Sequence, residues 1–122
     1  MANSGIFGSN AAPNSAIVSG IQVPVDADGG IDLRQVKAGT VLEVQTKNNV
    51  YTVIPQASGE MMIWGHPEYC PDPTLIKGLG SAYVTGLFRE GYLGPGMRLS
   101  FPSGGKRIST SRIVSIEARQ KH

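Results

Sequence analysis

The chain has 122 residues, enough for one domain that buries roughly two-thirds of the surface its unfolded form exposes. Only 16% of its residues are charged, against about 25% in ordinary soluble domains, and it carries 16 Gly and 8 Pro. Charge is favoured on exposed helix faces, so its scarcity beside frequent Gly and Pro argues for an all-β chain of short strands joined by many turns.

The net charge of +2 is unevenly spread. Residues 1–86 hold four Lys or Arg against seven acids, whereas residues 87–122 hold seven Lys or Arg against Glu90 and Glu117. Such polarity could steer an anionic partner, or the acidic side of a second copy, toward the C-terminal part. Cys70 is the single cysteine, which excludes an intrachain disulfide and a cysteine-rich zinc site and fits a reducing compartment. The N-terminus has neither a basic leader nor an apolar core, and no run approaches the roughly 18 apolar residues of a membrane helix. A soluble, cytoplasmic protein is expected.

In chain order, residues 1–19 are rich in Ser, Asn, Ala and Gly and are expected to form a flexible N-terminal tail, with Ile6, Phe7, Ile17 and Val18 available to dock on a neighbouring subunit. Residues 20–122 are read as a single β-barrel domain. "IQVPV" (21–25) is extended and confined to a sheet edge by Pro24, and "IDLRQV" (31–36) makes one helical turn with Ile31, Leu33 and Val36 inward. "VLEVQTKNNVYTVI" (41–54) alternates on both sides of Asn48-Asn49 and predicts a tight hairpin. "GEMMIWG" (59–65) is a strand, followed by "HPEYCPDPT" (66–74), where Pro67, Pro71 and Pro73 forbid a regular helix or central strand and an ordered surface loop or strap is expected. "SAYVTGLF" (81–88) and "GMRLSF" (96–101) read as strands, and "SGGK" (103–106) turns the chain into "RISTSRIVSIEA" (107–118), whose Ile113, Val114 and Ile116 are expected in the core. The sum is a small closed or partly open β-barrel of six to seven short strands.

Two likenesses accompany this reading. "VTGLFREGYLGPGMRLSFPSGGKRISTSRIVSIEA" (84–118) resembles the β-barrel second domain of translation GTPases in its glycine-marked reversal at Gly91, Gly94 and Gly96 and its closing strand. The longer pattern G-T-x-L-x-V-x-T-x-N-x-x-Y (39–51), then Gly80-Ser81, G-M-x-L-x-F (96–101) and Thr110-Ser111 with Ile116, resembles a small uncharacterised bacterial β-barrel family. The first implies barrel topology, and the second implies a fold without an activity.

Candidate chemistry is sparse. His66 and Cys70 stand four apart in a segment that prolines keep from being helical, and a zinc site would need Glu68, Asp72 or His122 as well, so no metal is expected. With only His66 and His122 as imidazoles, Ser81, Ser109 and Ser111 are better turn and strand-end groups than nucleophiles, so no catalytic residue is assigned. "GLGSAY" (78–83) lacks the third glycine and the helix of a dinucleotide site, and "SGGKR" (103–107) lacks the first glycine of a phosphate loop, so no cofactor is expected. Arg89, Arg98, Lys106, Arg107 and Arg112 remain as a basic surface for a partner or for nucleic acid. Aromatics beside them, among Trp64, Tyr69, Tyr83, Phe88, Tyr92 and Phe101, could stack on bases if exposed. The leading expectation is a non-catalytic interaction or assembly module that forms a homo-oligomer. An RNA-binding module using the basic C-terminal hairpin is the alternative, and an enzyme using the loop around His66 and Cys70 comes last.

Overall fold

The computed structural model describes residues 15–18 and 21–119, with Ser15–Val18 and Ile21–Pro24 described by their backbone. Among the described residues the protein is all-β, with twelve strands and one turn of 3-10 helix. Among the described residues no helix is long and apolar enough to cross a membrane. Strands β1 (Ser15–Val18) and β2 (Ile21–Pro24) form an antiparallel ribbon in which Pro24 opposes Ser15 at the end, where its missing donor costs no ladder bond. The remainder of the expected 1–19 tail lies outside the described residues.

Strand β3 (Ile31–Asp32) runs into the 3-10 turn Leu33–Gln35, with Ile31, Leu33 and Val36 buried as their spacing requires. Asp32 caps this turn. Its carboxylate accepts from the Arg34 amide at 3.0 Å and from the Arg34 guanidinium at 3.0 and 2.9 Å. The guanidinium bond is the main cause that holds the Asp32 carboxyl below its ordinary range.

The hairpin β4 (Val41–Thr46) and β5 (Val50–Pro55) forms where the alternation places it. Leu42, Val44, Tyr51 and Val53 are sealed from solvent on its inner face. The Thr46 hydroxyl closes the turn by donating to the Asn49 carbonyl at 2.9 Å and accepting from the Asn49 amide at 3.1 Å. Strands β6 (Met61–Trp64) and β7 (Thr74–Ile76) extend this sheet in antiparallel order.

The segment 81–88 departs from the strand that its composition suggests. It splits into β8 (Gly80–Ala82) and β9 (Phe88–Glu90) around a turn closed by Tyr83 N–H to Leu87 O at 2.9 Å and Gly86 N–H to Tyr83 O at 2.8 Å. Gly86 has a φ of 92°, a backbone state that only glycine adopts without strain, and this reverses the chain inside an apolar run. Strand β10 (Tyr92–Leu93) pairs with β3. Strands β11 (Arg98–Ser103) and β12 (Lys106–Arg119) are joined by Gly104-Gly105, whose φ values of 58° and 80° define a type I′ turn. Val114 is 60% exposed rather than in the core, because a register shift between Ile113 and Ser115 inserts it as an extra residue and breaks the alternation; Ile113 is buried and Ile116 partly so.

Eight strands form one sheet in the order β9-β8-β11-β12-β4-β5-β6-β7, so the strand count exceeds the six or seven expected. Strand β12 is the spine, pairing with β11 through its first half and with β4 through its second. The sheet cannot be flat. Strands β7 and β8 stand six inter-strand spacings apart, roughly 29 Å in a flat sheet. Yet they are joined by Lys77, Gly78 and Leu79 alone, a link that reaches at most about 14 Å. The sheet therefore curves enough to bring β7 within reach of β8, and Leu42, Val44, Tyr51, Val53, Ile63, Leu79, Leu99 and Phe101 lie in one core on its concave side.

Candidate functional site

Register decides which of the basic residues share a face. Leu99 and Phe101 of β11 point into the core, so Arg98, Ser100 and Pro102 occupy the convex face. Arg98 opposes Arg112, and Pro102 opposes Arg107, which puts Arg98, Arg107 and Arg112 together on that face. Lys106 opposes Ser103 at the tip of the hairpin, in the other phase. Arg89 opposes Ser81, itself opposite Leu99, and so belongs to the inner phase at the sheet margin. Three of the five expected residues are thus brought together, and Arg89 and Lys106 are not.

These arginines differ in how firmly they are held. Arg107 donates to the Gly78 carbonyl at 3.2 Å and to Ser100 Oγ at 3.3 Å, and its guanidinium lies 4.2 Å from the Phe88 ring centre. The Phe88 ring folds back over Gly80: Phe88 Cζ lies 2.9 Å from where a Cβ on Gly80 would stand. Arg89 stacks on Tyr92 at 3.7 Å from its ring centre. Among the described residues Arg98 reaches only the Thr110 carbonyl, at 3.4 Å. Among the described residues neither Arg98 nor Arg112 has a carboxylate partner; the ion pairs are Arg34–Asp32 and Arg119–Glu43, each at 2.9 Å.

The aromatics are mostly taken. Phe101 and Tyr92 are buried, Trp64 is half-buried, Phe88 lies beneath Arg107, and of the six Tyr69 and Tyr83 are exposed. Tyr83 opens the β8–β9 turn, whose Val84 and Leu87 are 68% and 66% exposed. The turn sits at the end of a ladder row that runs Phe88, Ala82, Arg98, Arg112 across four strands. Lys47 stands at the far end of the row, its amide donating to the Arg112 carbonyl at 3.0 Å. An apolar tip flanked by cations results. The sequence signal for it was Gly86, a lone glycine interrupting an apolar run.

The Pro-rich loop is an ordered structure. His66 Nδ1 accepts from the amides of Glu68 at 3.0 Å and Tyr69 at 3.1 Å, and the Cys70 amide donates to the His66 carbonyl at 3.2 Å. Those bonds give His66 a turn-forming duty. Cys70 is buried, and that burial pushes its thiol pKa up, opposite to what a nucleophile or metal ligand needs. Among the described residues no group of three or more His, Cys, Asp or Glu could hold a metal ion. A cavity of about 240 Å³ lies between Arg34, Met61, Leu79 and Glu90, smaller than the roughly 300 Å³ at which ligand pockets begin.

The chain matches no family model, no curated protein and no solved structure.

Proposed function

We propose that this protein is a non-catalytic interaction module that self-associates, built on a small, partly open β-barrel. The coiling demanded by the three-residue link from β7 to β8 supports the barrel reading, as do the two family likenesses. The observation that carries the function is the β8–β9 tip. Tyr83, Val84 and Leu87 stand in solvent beside Arg98 and Arg112, which lack carboxylate partners among the described residues. Exposed aliphatic side chains ringed by charge are the usual composition of a docking surface. Acids concentrated in the first part of the chain make a second copy a complementary partner. The buried single thiol fits a reducing, cytoplasmic setting. Light scattering on a size-exclusion column across chain concentration tests the proposal: mass should rise above the monomer, and a strict monomer at high concentration would end it.

One observation favours a second reading. Two arginines directly opposed on a sheet repel each other unless an anion bridges them, and a nucleic-acid phosphate would do so. Against it, arginines already cover Phe88 and Tyr92, which leaves little for bases to stack on. RNA binding at low salt that weakens steeply as salt rises would favour this reading; its absence at low salt would dispose of it.

A further inference from the structure

Resting on the self-association reading, we infer that the cationic β8–β9 tip of one copy docks on the Pro-rich loop of a second copy. The tip offers exposed Val84 and Leu87 together with Arg98 and Arg112. The loop offers the converse set. Tyr69 and, just past the loop in β7, Leu75 are 41% and 49% exposed, and Glu68 and Asp72 are exposed carboxylates without an ion-pair partner among the described residues. Two guanidiniums beside two aliphatic side chains thus face two carboxylates beside two apolar ones.

Three of the other acids serve less well. Asp32 and Glu43 are already neutralised by Arg34 and Arg119, and Asp28 accepts from the Tyr92 hydroxyl at 3.2 Å. The loop is also rigid before any encounter. Pro67, Pro71 and Pro73 fix their own φ angles, His66 Nδ1 ties the amides of Glu68 and Tyr69, and the Gly65 amide donates to the Cys70 carbonyl at 2.9 Å. A surface already in shape loses little conformational entropy on docking. On the tip side, the opposed Arg98 and Arg112 repel each other in the single chain, and carboxylates placed between them relieve that repulsion. The apolar groups supply attraction that survives salt, while the charges set orientation.

The test is sedimentation equilibrium on four samples: the wild-type chain, Arg98→Glu/Arg112→Glu, Glu68→Arg/Asp72→Arg, and an equimolar mixture of the two variants. All four substituted side chains are exposed, and unchanged thermal unfolding of each variant shows that its fold is intact. Each variant alone presents like charges on tip and loop, so its self-association should weaken by at least about tenfold. In the mixture an acidic tip meets a basic loop, and association should return as heterodimers. Association unchanged in either variant, or lost in both and not regained in the mixture, overturns the contact while leaving self-association standing. A monomeric wild type overturns both readings, and a monomer that instead co-sediments with anionic phospholipid vesicles assigns the tip to a membrane surface.

Discussion

Arg98 and Arg112 stand directly opposite each other on β11 and β12, on the convex face, with no carboxylate between them among the described residues. Like charges in opposed positions are destabilising. Arg112→Ser should therefore raise the stability of the isolated chain by about 0.2–1 kcal/mol, read as a higher urea midpoint at low salt. The gain should shrink at high salt as the repulsion is screened. The same substitution should weaken self-association, so stability and assembly move in opposite directions. A variant less stable than wild type would mean that Arg112 is held by contacts that matter to the fold.

Tyr51 is fully buried against His66 and Phe101, and among the described residues no partner stands within good hydrogen-bond geometry of its hydroxyl. Tyr51→Phe removes a buried polar group left without a bond, so stability should rise by about 1 kcal/mol. Burial, with the Cys70 charge second, pushes the phenol from 10.0 up to about 12. A group raised in the folded state gives stability that is complete below its unfolded value and is lost as pH climbs through its folded value. Wild-type stability should therefore decline from pH 10 through about 12, and Tyr51→Phe should decline less. Tyr92, also raised, chiefly by burial, should keep some alkaline sensitivity in that variant. Denaturant midpoints across this pH range check both statements.

Gly80 has no room for a side chain. An added Cβ would collide with the Arg89 carbonyl and approach the Phe88 ring that Arg107 covers. Gly80→Ala should force β9 away from β8, with a loss of about 1–3 kcal/mol from overpacking. Gly59→Ala has open space around its Cβ and costs only the strain of a φ of 90°, about 1 kcal/mol. Thermal unfolding of the pair separates collision from backbone strain.

Cys70 is protonated and enclosed, so a thiol reagent should modify it slowly in the folded protein and rapidly in denaturant. Fast native modification would show that the loop opens. Incubation with Zn²⁺ should leave the native rate unchanged, since His66 Nδ1 is already engaged by two amides.

Much of the fold was legible where one rule acted alone. The hairpin 41–55 was readable because alternation fixed the buried face and Asn48-Asn49 fixed the reversal, and Ile31, Leu33 and Val36 followed from a single turn of helix. Reading failed where a second effect intervened. Gly86 reversed the chain within an apolar run, so one expected strand became two and the tip Tyr83–Leu87 went unseen. The bulge after Ile113 turned Val114 outward although its apolar character pointed inward. The charge of the basic hairpin was plain in the sequence, but its grouping was not. Which arginines share a face depends on register between β11 and β12, which shifts once between Arg98 and Ser100. The coiling of the sheet depends on contacts between distant segments, which local pattern does not encode.

The central claim, self-association through an apolar tip ringed by charge, is tested most directly by sedimentation equilibrium of the wild-type chain at low and high salt. The screening length falls from about 30 Å at 0.01 M salt to about 3 Å at 1 M. At low salt the apparent mass should climb above the 12.9 kDa monomer with concentration, and at high salt the same climb should need a higher concentration. A mass of 12.9 kDa at every concentration at low salt would contradict the account.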